Sequence, residues 1–276
     1  MAELSPGAAA EHGLAVWFDG PIAHLQLARP EKLNAIDTGI LQALPRVAKR
    51  VRQNPQIRAV VLSAQGREFS AGIDIGDVFG KPEKIICGLI PMPFRGTNTF
   101  QEAFWALRRL PVPVIAAIHG RAYGAGAQLA LAADFRIATA DSEFSIMEAK
   151  WGLIPDMAGS AALAQLVGID VAKRLTMTAE KLSGAEAKDY GLVTSLSPDP
   201  VSAALALAEE ISTRSPDSVA AAKFLFEKTW QKPPLRAFAV ERALQVRLIL
   251  GRNSKIARKA GFRKEQPSFP ARQFWT

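Results

Sequence analysis

Apolar and polar residues alternate through "PIAHLQLARP", where Ile22, Ala23, Leu25 and Leu27 are interrupted by His24 and Gln26. A period of two predicts a strand with one buried face. After the loop "RPEKLNAID" the period changes. Ile40, Leu41, Leu44, Val47, Ala48 and Val51 recur at helical spacing, which predicts a helix from about Thr38 with Asp37 or Thr38 as its cap. "RAVVLSA" reads as a short buried strand and "GREFSAGIDIG" as a glycine-punctuated loop. Residues 76 to 97 carry Pro82, Pro91 and Pro93 without a clean period and read as a mobile flap. A helix near Thr99 to Arg109 leads through "PVPVIAAIHG", a buried strand, into "GRAYGAGAQLALAAD", and "DFRIATA" is a further strand. This recurrence of strand, loop and helix predicts a wound α/β domain.

Beyond Ile154 the pattern turns to helix upon helix. Ser183 with Glu186 three residues on is a capping box, Gly191 closes that helix, and "GLVTSLSP" is a last strand. From about Pro200 the chain reads as helical, with breaks at Pro216 and Pro233-Pro234. The expected organisation is a disordered lead-in over 1–13, an α/β core over 14–200 and a helical region over 201–276. The C-terminal helices are too few for an independent core, so they pack on the α/β part or on a neighbouring subunit.

Composition narrows the class. Of 276 residues, 22% are charged and 49% hydrophobic, ordinary for a globular protein. A single Cys87 permits no internal disulfide and no thiolate cluster, which fits a reducing, cytoplasmic setting. No apolar run reaches membrane-spanning length, and "MAELSPGAAAEHG" lacks the charge and apolar order of a signal peptide. The net charge is +8, and the segment from Gly251 onward holds a surplus of six positive charges. That tail admits three readings: a solvated helix face, a nucleic-acid surface with little aromatic interleaving, or a site for a small anion such as a nucleotide phosphate.

Two glycine loops, "FSAGIDI" and "GRAYGAGAQ", each follow a buried strand and enter a helix. Glycine allows close backbone approach, and a helix start leaves N–H groups unpaired. Two such loops could aim two N–H groups at one oxygen, as an oxyanion hole does; ordinary strand-to-helix turns are the plainer reading. Neither loop reads G-x-G-x-x-G, which disfavours a dinucleotide site. In "SEFSIMEAKWGLIPDMAG", Glu148 and Asp156 lie eight residues apart with Gly152 and Pro155 between them, so the chain turns and both acids can face one cavity. Ile146, Met147, Trp151, Leu153 and Ile154 would desolvate them and raise their pKa values, the setting for proton transfer in both directions. Two solvated acids beside a turn are the alternative. No His, Cys and acid cluster has metal-ligand spacing, so no metal is expected. His119 reads as structural, and Ser70 has no recognisable base.

The ordered stretches "ARPEKLNAI", "FSAGIDI", "HGRAYGAGAQLALAADFRIA", "FSIMEAKWGLIPDMAGS" and "SGAEAKDYGLV" resemble the enoyl-CoA hydratase/isomerase (crotonase) superfamily over residues 15 to 200. The resemblance implies an α/β spiral of repeated β-β-α units with a helical C-terminal region that completes a homotrimer or dimer of trimers. It implies an acyl-CoA thioester as substrate, held as an enolate, with coenzyme A part of the substrate and no further cofactor. By motif position the oxyanion donors are the N–H groups of Ala71 and Ala125, the latter standing where many relatives have glycine. Coenzyme A contacts fall on Lys32, Leu33, Gly72, Ile73 and Asp74, and Lys259 and Arg263 are candidates for its phosphates. Neither membrane nor nucleic acid is an expected partner.

The acids separate subfamilies. Hydratases of the family use two glutamates; here the later one matches Glu148, but the first position is Gln128, which cannot accept and return a proton. Asp156 falls where dienoyl-CoA isomerases of the family keep an aspartate, although those enzymes also carry an acid at the Gln128 position. The expected chemistry is therefore double-bond isomerisation, with Glu148 and Asp156 as proton carriers and Gln128 positioning the thioester or a water. Hydration of a 2-enoyl-CoA by Glu148 alone is the second reading. A non-catalytic protein of this fold that binds CoA or RNA is the third.

Overall fold

The computed structural model describes residues 9–80 and 82–274. Strands β1 (Ala9–Glu11), β2 (Leu14–Asp19) and β3 (Ile22–Leu27) form an antiparallel meander. The lead-in expected to be disordered thus supplies a strand over 9–11; residues 1–8 lie outside the described residues. A 3-10 turn (Pro30–Lys32) follows, then helix α1 (Thr38–Gln53), capped by Asp37, whose side chain accepts from Ile40 N at 2.8 Å. Strand β4 (Ala59–Ala64) leads to α2 (Ile75–Phe79), α3 (Pro82–Leu89) and α4 (Thr99–Arg108). Two short helices therefore occupy the segment read from sequence as an irregular flap.

Next come β5 (Val114–Ile118), β6 (Arg121–Tyr123), α5 (Ala125–Leu131), β7 (Phe135–Ala138), β8 (Glu143–Ser145), a 3-10 turn (Met147–Trp151), α6 (Gly159–Leu166) and α7 (Ile169–Thr178). Strand β9 (Leu182–Ser183), α8 (Gly184–Asp189) and β10 (Ser195–Leu196) close the α/β part. A seven-stranded sheet runs β1-β2-β3-β4-β5-β7-β10, parallel from β3 onward, and a three-stranded sheet runs β6-β8-β9. Two successive turns of the chain, β5-β6-α5 and β7-β8-α6, each lay one strand in the large sheet and one in the small sheet before a helix returns. That winding is the β-β-α spiral.

The period of two sorts side chains between two cores. Leu25, Leu27, Val60, Leu62, Val114 and Ala116 join the large core on the side of α1 and α4, where Leu44, Val47 and Phe104 are buried. Ile22, Ala59, Val61, Ile115 and Ala117 face the other way, onto helix α9 (Pro200–Ser212) through Ala204 and Ala208. Buried on both faces, β5 reads as an unbroken apolar run and β4 as one broken only by buried Ser63. Because α9 covers the sheet, a boundary at residue 200 divides one packed layer from the sheet it protects.

Helices α10 (Pro216–Thr229), α11 (Pro234–Leu250) and α12 (Arg252–Arg263) pack on one another. Buried Asp217 ties them to the tail, accepting from Asn253 Nδ2 at 2.7 Å and from the N–H groups of Gln273 and Phe274 at 2.7 and 3.1 Å. Arg272, one of the surplus cations, is buried on the carbonyls of Arg52, Ile57 and Phe274. Apolar Phe226, Trp230, Leu235, Phe238 and Leu250 stay exposed on α10, α11 and the turn between them. Among the described residues, no helix is long and apolar enough to cross a membrane.

Candidate active site

The two glycine loops meet, and buried Asn34 fixes the first of them. Its Nδ2 donates to the carbonyls of Gln65 (2.7 Å) and Glu68 (2.8 Å), its Oδ1 accepts from Arg29 N (2.9 Å), and its carbonyl accepts from Ser70 Oγ (2.8 Å). Ser70 then pairs with β6, giving its N–H to the carbonyl of Arg121 and taking that of Tyr123. In extended chain successive N–H groups point to opposite sides, so Ala71 N turns away and donates to the carbonyl of Leu33 at 2.9 Å. The motif assignment of Ala71 as an oxyanion donor is therefore corrected: its N–H is already engaged.

The amide whose geometry suits that role is that of Ile73. Its neighbours bind Ile36 on both sides, through Ile36 N to the carbonyl of Gly72 (2.8 Å) and Asp74 N to the carbonyl of Ile36 (2.9 Å). Ile73's own N–H must then face the opposite side, and it has no backbone acceptor among the described residues. That side is the start of α5. A Cβ on Gly72, whose φ is +109°, would lie 3.1 Å from Tyr123 O and 4.0 Å from Ala125 N. A Cβ on Gly126 would lie 2.6 Å from Ser70 Cβ, so glycine there permits the close approach of α5. Ala125 opens α5, and its N–H has no partner within the helix. Two amides without a partner among the described residues, those of Ile73 and Ala125, thus lie where the two loops meet.

The acids stand beside them. Glu148, in the Met147–Trp151 turn, is 9% exposed and lies against Gly124, where a Cβ would come 3.3 Å from its Oε1. Gln128 Nε2 donates to that oxygen at 2.6 Å; Oε2 is buried without a partner among the described residues. Burial pushes the Glu148 carboxyl up, the charge of Asp156 adds to the rise, and the bonds from its own amide and from Gln128 oppose it. Asp156 keeps accessible surface in a groove of about 870 Å³ between α4, α6 and α7, yet the protein packed around its carboxyl pushes its pKa up as well. The apolar screen differs from expectation. Ile146 is buried, but Trp151, Leu153 and Ile154 are exposed, so those three do not form the expected screen.

The remaining candidates separate. Lys32 is exposed at the end of its 3-10 turn, beside Leu33 and Asn34 in left-handed conformation. Asp74 caps α2 and pairs with Arg29 at 3.3 Å, a structural duty. Lys259 and Arg263 lie exposed on α12, which packs on α10 and α11; no hydrogen bond or ion pair joins them to the glycine loops among the described residues. His119 Nε2 bonds to the carbonyl of Gly66 at 2.9 Å, and Tyr123 is held by Glu143 beneath Lys181. The missed donor, Ile73, sits one residue past the loop glycine; strand alternation counted from Ser70 could have found it.

Comparison with known proteins bears on the family. The enoyl-CoA hydratase/isomerase family model matches residues 18–272. The mitochondrial Delta(3,5)-Delta(2,4)-dienoyl-CoA isomerase of Rattus norvegicus is 34% identical over 210 residues, 73% of this chain and 64% of its own length. Enoyl-CoA hydratase EchA19 of Mycobacterium tuberculosis is 31% identical over 250 residues, 88% of this chain and 91% of its own. The crystal structure of an enoyl-CoA hydratase from Polaromonas sp. JS666 superposes with a TM-score of 0.84 at 29% identity, covering 93% of this chain and 99% of that one. The match to the mammalian dienoyl-CoA isomerases spans about 64% of their length.

Proposed function

The chain belongs to the enoyl-CoA hydratase/isomerase family, and from that premise we propose that it shifts double bonds along an acyl-CoA thioester, with Glu148 and Asp156 as the two proton carriers. The thioester oxygen sits between the amides of Ile73 and Ala125. Each donor contributes on the order of 3 kcal/mol as negative charge develops there. One carboxylate removes a proton from C2 of a 3,5-dienoyl-CoA, the charge spreads through the trienolate from the thioester oxygen to C6, and the other carboxyl delivers a proton to C6. The product is the conjugated 2,4-diene with no net change of atoms. Coenzyme A enters as part of the substrate, and this cycle uses no further cofactor.

The observation that carries the reading is two carboxyls close enough for the charge of Asp156 to reach Glu148, each with its pKa raised chiefly by burial. Gln128, bonded to one of them, is a side chain that cannot carry a proton. The name of the rat relative supports it. A second reading follows from the unpartnered Oε2 of Glu148, which can activate a water for addition to a 2-enoyl-CoA. The exposed apolar side chains of α10 and α11 support assembly into a trimer or dimer of trimers, in which Lys259 and Arg263 can approach phosphates bound by a neighbour.

The test offers 3,5-dienoyl-CoA and 2-enoyl-CoA in parallel to the protein, Glu148→Gln and Asp156→Asn. Conversion of the diene, lowered on the order of 10²–10⁴-fold in both variants, is the expected result. Consumption of 2-enoyl-CoA without diene turnover, sensitive to Glu148 and indifferent to Asp156, would establish hydration instead.

A further inference from the structure

Gln128 is 2% exposed, and both ends of its amide are engaged by protein. Oε1 accepts from Met157 N at 2.9 Å and Gly159 N at 3.2 Å, which occupies both of its lone pairs. Two backbone donors settle which end is oxygen, so the other end is the NH2 group, and it meets Glu148 Oε1 at 2.6 Å. One hydrogen remains for any other contact. Met157 directly follows Asp156, and Gly159 opens α6. A Cβ on Gly159 would lie 2.5 Å from the Gln128 oxygen, so that glycine and this amide fit as a pair.

We propose that Gln128 is a positioning residue for both acids: it holds Glu148 and the backbone beside Asp156 at a fixed separation, and acts through them rather than on the thioester. The inference rests on the proton-shuttle reading above. It replaces the expectation that the amide positions a thioester or a water. A carboxylate at this position would keep the two acceptor bonds but lose the donor. Facing Glu148 at 2.6 Å, it would need a shared proton to restore the contact. The charge whose field reaches Glu148 is that of Asp156, and neither α5 nor α6 carries an ionisable side chain. The Gln128 donor also favours the charged form of Glu148 against its burial.

The experiment uses the full chain with Gln128→Met and Gln128→Glu, each checked for native circular dichroism. It measures kcat and KM on 3,5-dienoyl-CoA from acid to alkaline pH, and it follows the Glu148 carboxyl by carbon NMR without substrate. Gln128→Met should lower kcat up to about 10²-fold, the loss typical of a misplaced catalytic group, with KM unchanged. Its acid limb and its Glu148 titration should both move to higher pH. Gln128→Glu should approach the unmodified protein only at low pH, where one proton bridges positions 128 and 148, and decline as pH rises. A raised KM with kcat retained would show that the amide touches substrate and overturn the proposal, as would a Glu148 titration unmoved in Gln128→Met. Absence of diene turnover in the unmodified protein would instead overturn the isomerase reading, and the substrate-free titration still decides the role of Gln128.

Discussion

Replacing Glu148 by glutamine should make the protein more stable at neutral pH while disabling it. The carboxylate is buried, and Oε2 has no partner among the described residues. Glutamine retains an oxygen for Gln128 Nε2 and removes the charge. The glutamine NH2 group would be as unpartnered as Oε2, so the gain is the extra cost that charge adds to an unsatisfied buried group, on the order of 1–3 kcal/mol. Taking that range, the gain corresponds to a rise of roughly 2–10 °C in the unfolding midpoint for a chain of this size. The sign follows from linkage. The folded carboxyl binds its proton more tightly than the unfolded one, because burial raises its pKa. Its contribution to stability is therefore intact below the unfolded value, about 4.3, and is lost as pH rises through the folded value. Unfolding midpoints of the two proteins should coincide near pH 4 and separate progressively toward neutral pH, the variant higher. A midpoint difference independent of pH, or a variant less stable at neutral pH, would refute a desolvated carboxylate at position 148.

Three further outcomes are expected. Gly72→Ala places a Cβ 3.1 Å from Tyr123 O at a φ of +109°, so kcat on the preferred thioester should fall on the order of 10²–10³-fold; a kcat close to the original would remove the 72–73 turn from the oxyanion hole. Asn34→Ala deletes three buried side-chain hydrogen bonds and should cost about 3 kcal/mol, read from urea unfolding. Arg272→Ala releases the tail from the carbonyls of Arg52, Ile57 and Phe274 and should lower the unfolding midpoint. Turnover should stay unchanged, and a matching loss of activity would place the tail at the site.

What the chain reveals unaided depends on whether the deciding partner is a side chain or a backbone group. Period and cap chemistry located α1 with Asp37 at its start, the buried strands β4 and β5, and the Ser183–Glu186 box, since each depends on side chains close in sequence. Helices α2 and α3 escaped because they are short, so the period had too few turns to register. The oxyanion donor escaped by a parity argument. A motif marks the loop, but Ala71 and Ile73 differ only in which side of the chain their N–H groups face, and Ser70 on β6 sets that. Trp151 and Ile154 looked like a screen for the acids because a linear reading cannot tell a pocket wall from an outer face. The same limit bears on Gln128. As a residue type it reads as a lost acid, because the groups that define its duty are the N–H groups of Met157 and Gly159, 29 and 31 residues away and invisible in composition. Once those donors claim its oxygen, the NH2 end is left for Glu148, and on the proposed proton-shuttle reading the substitution that seemed to remove a proton carrier holds the other two in place.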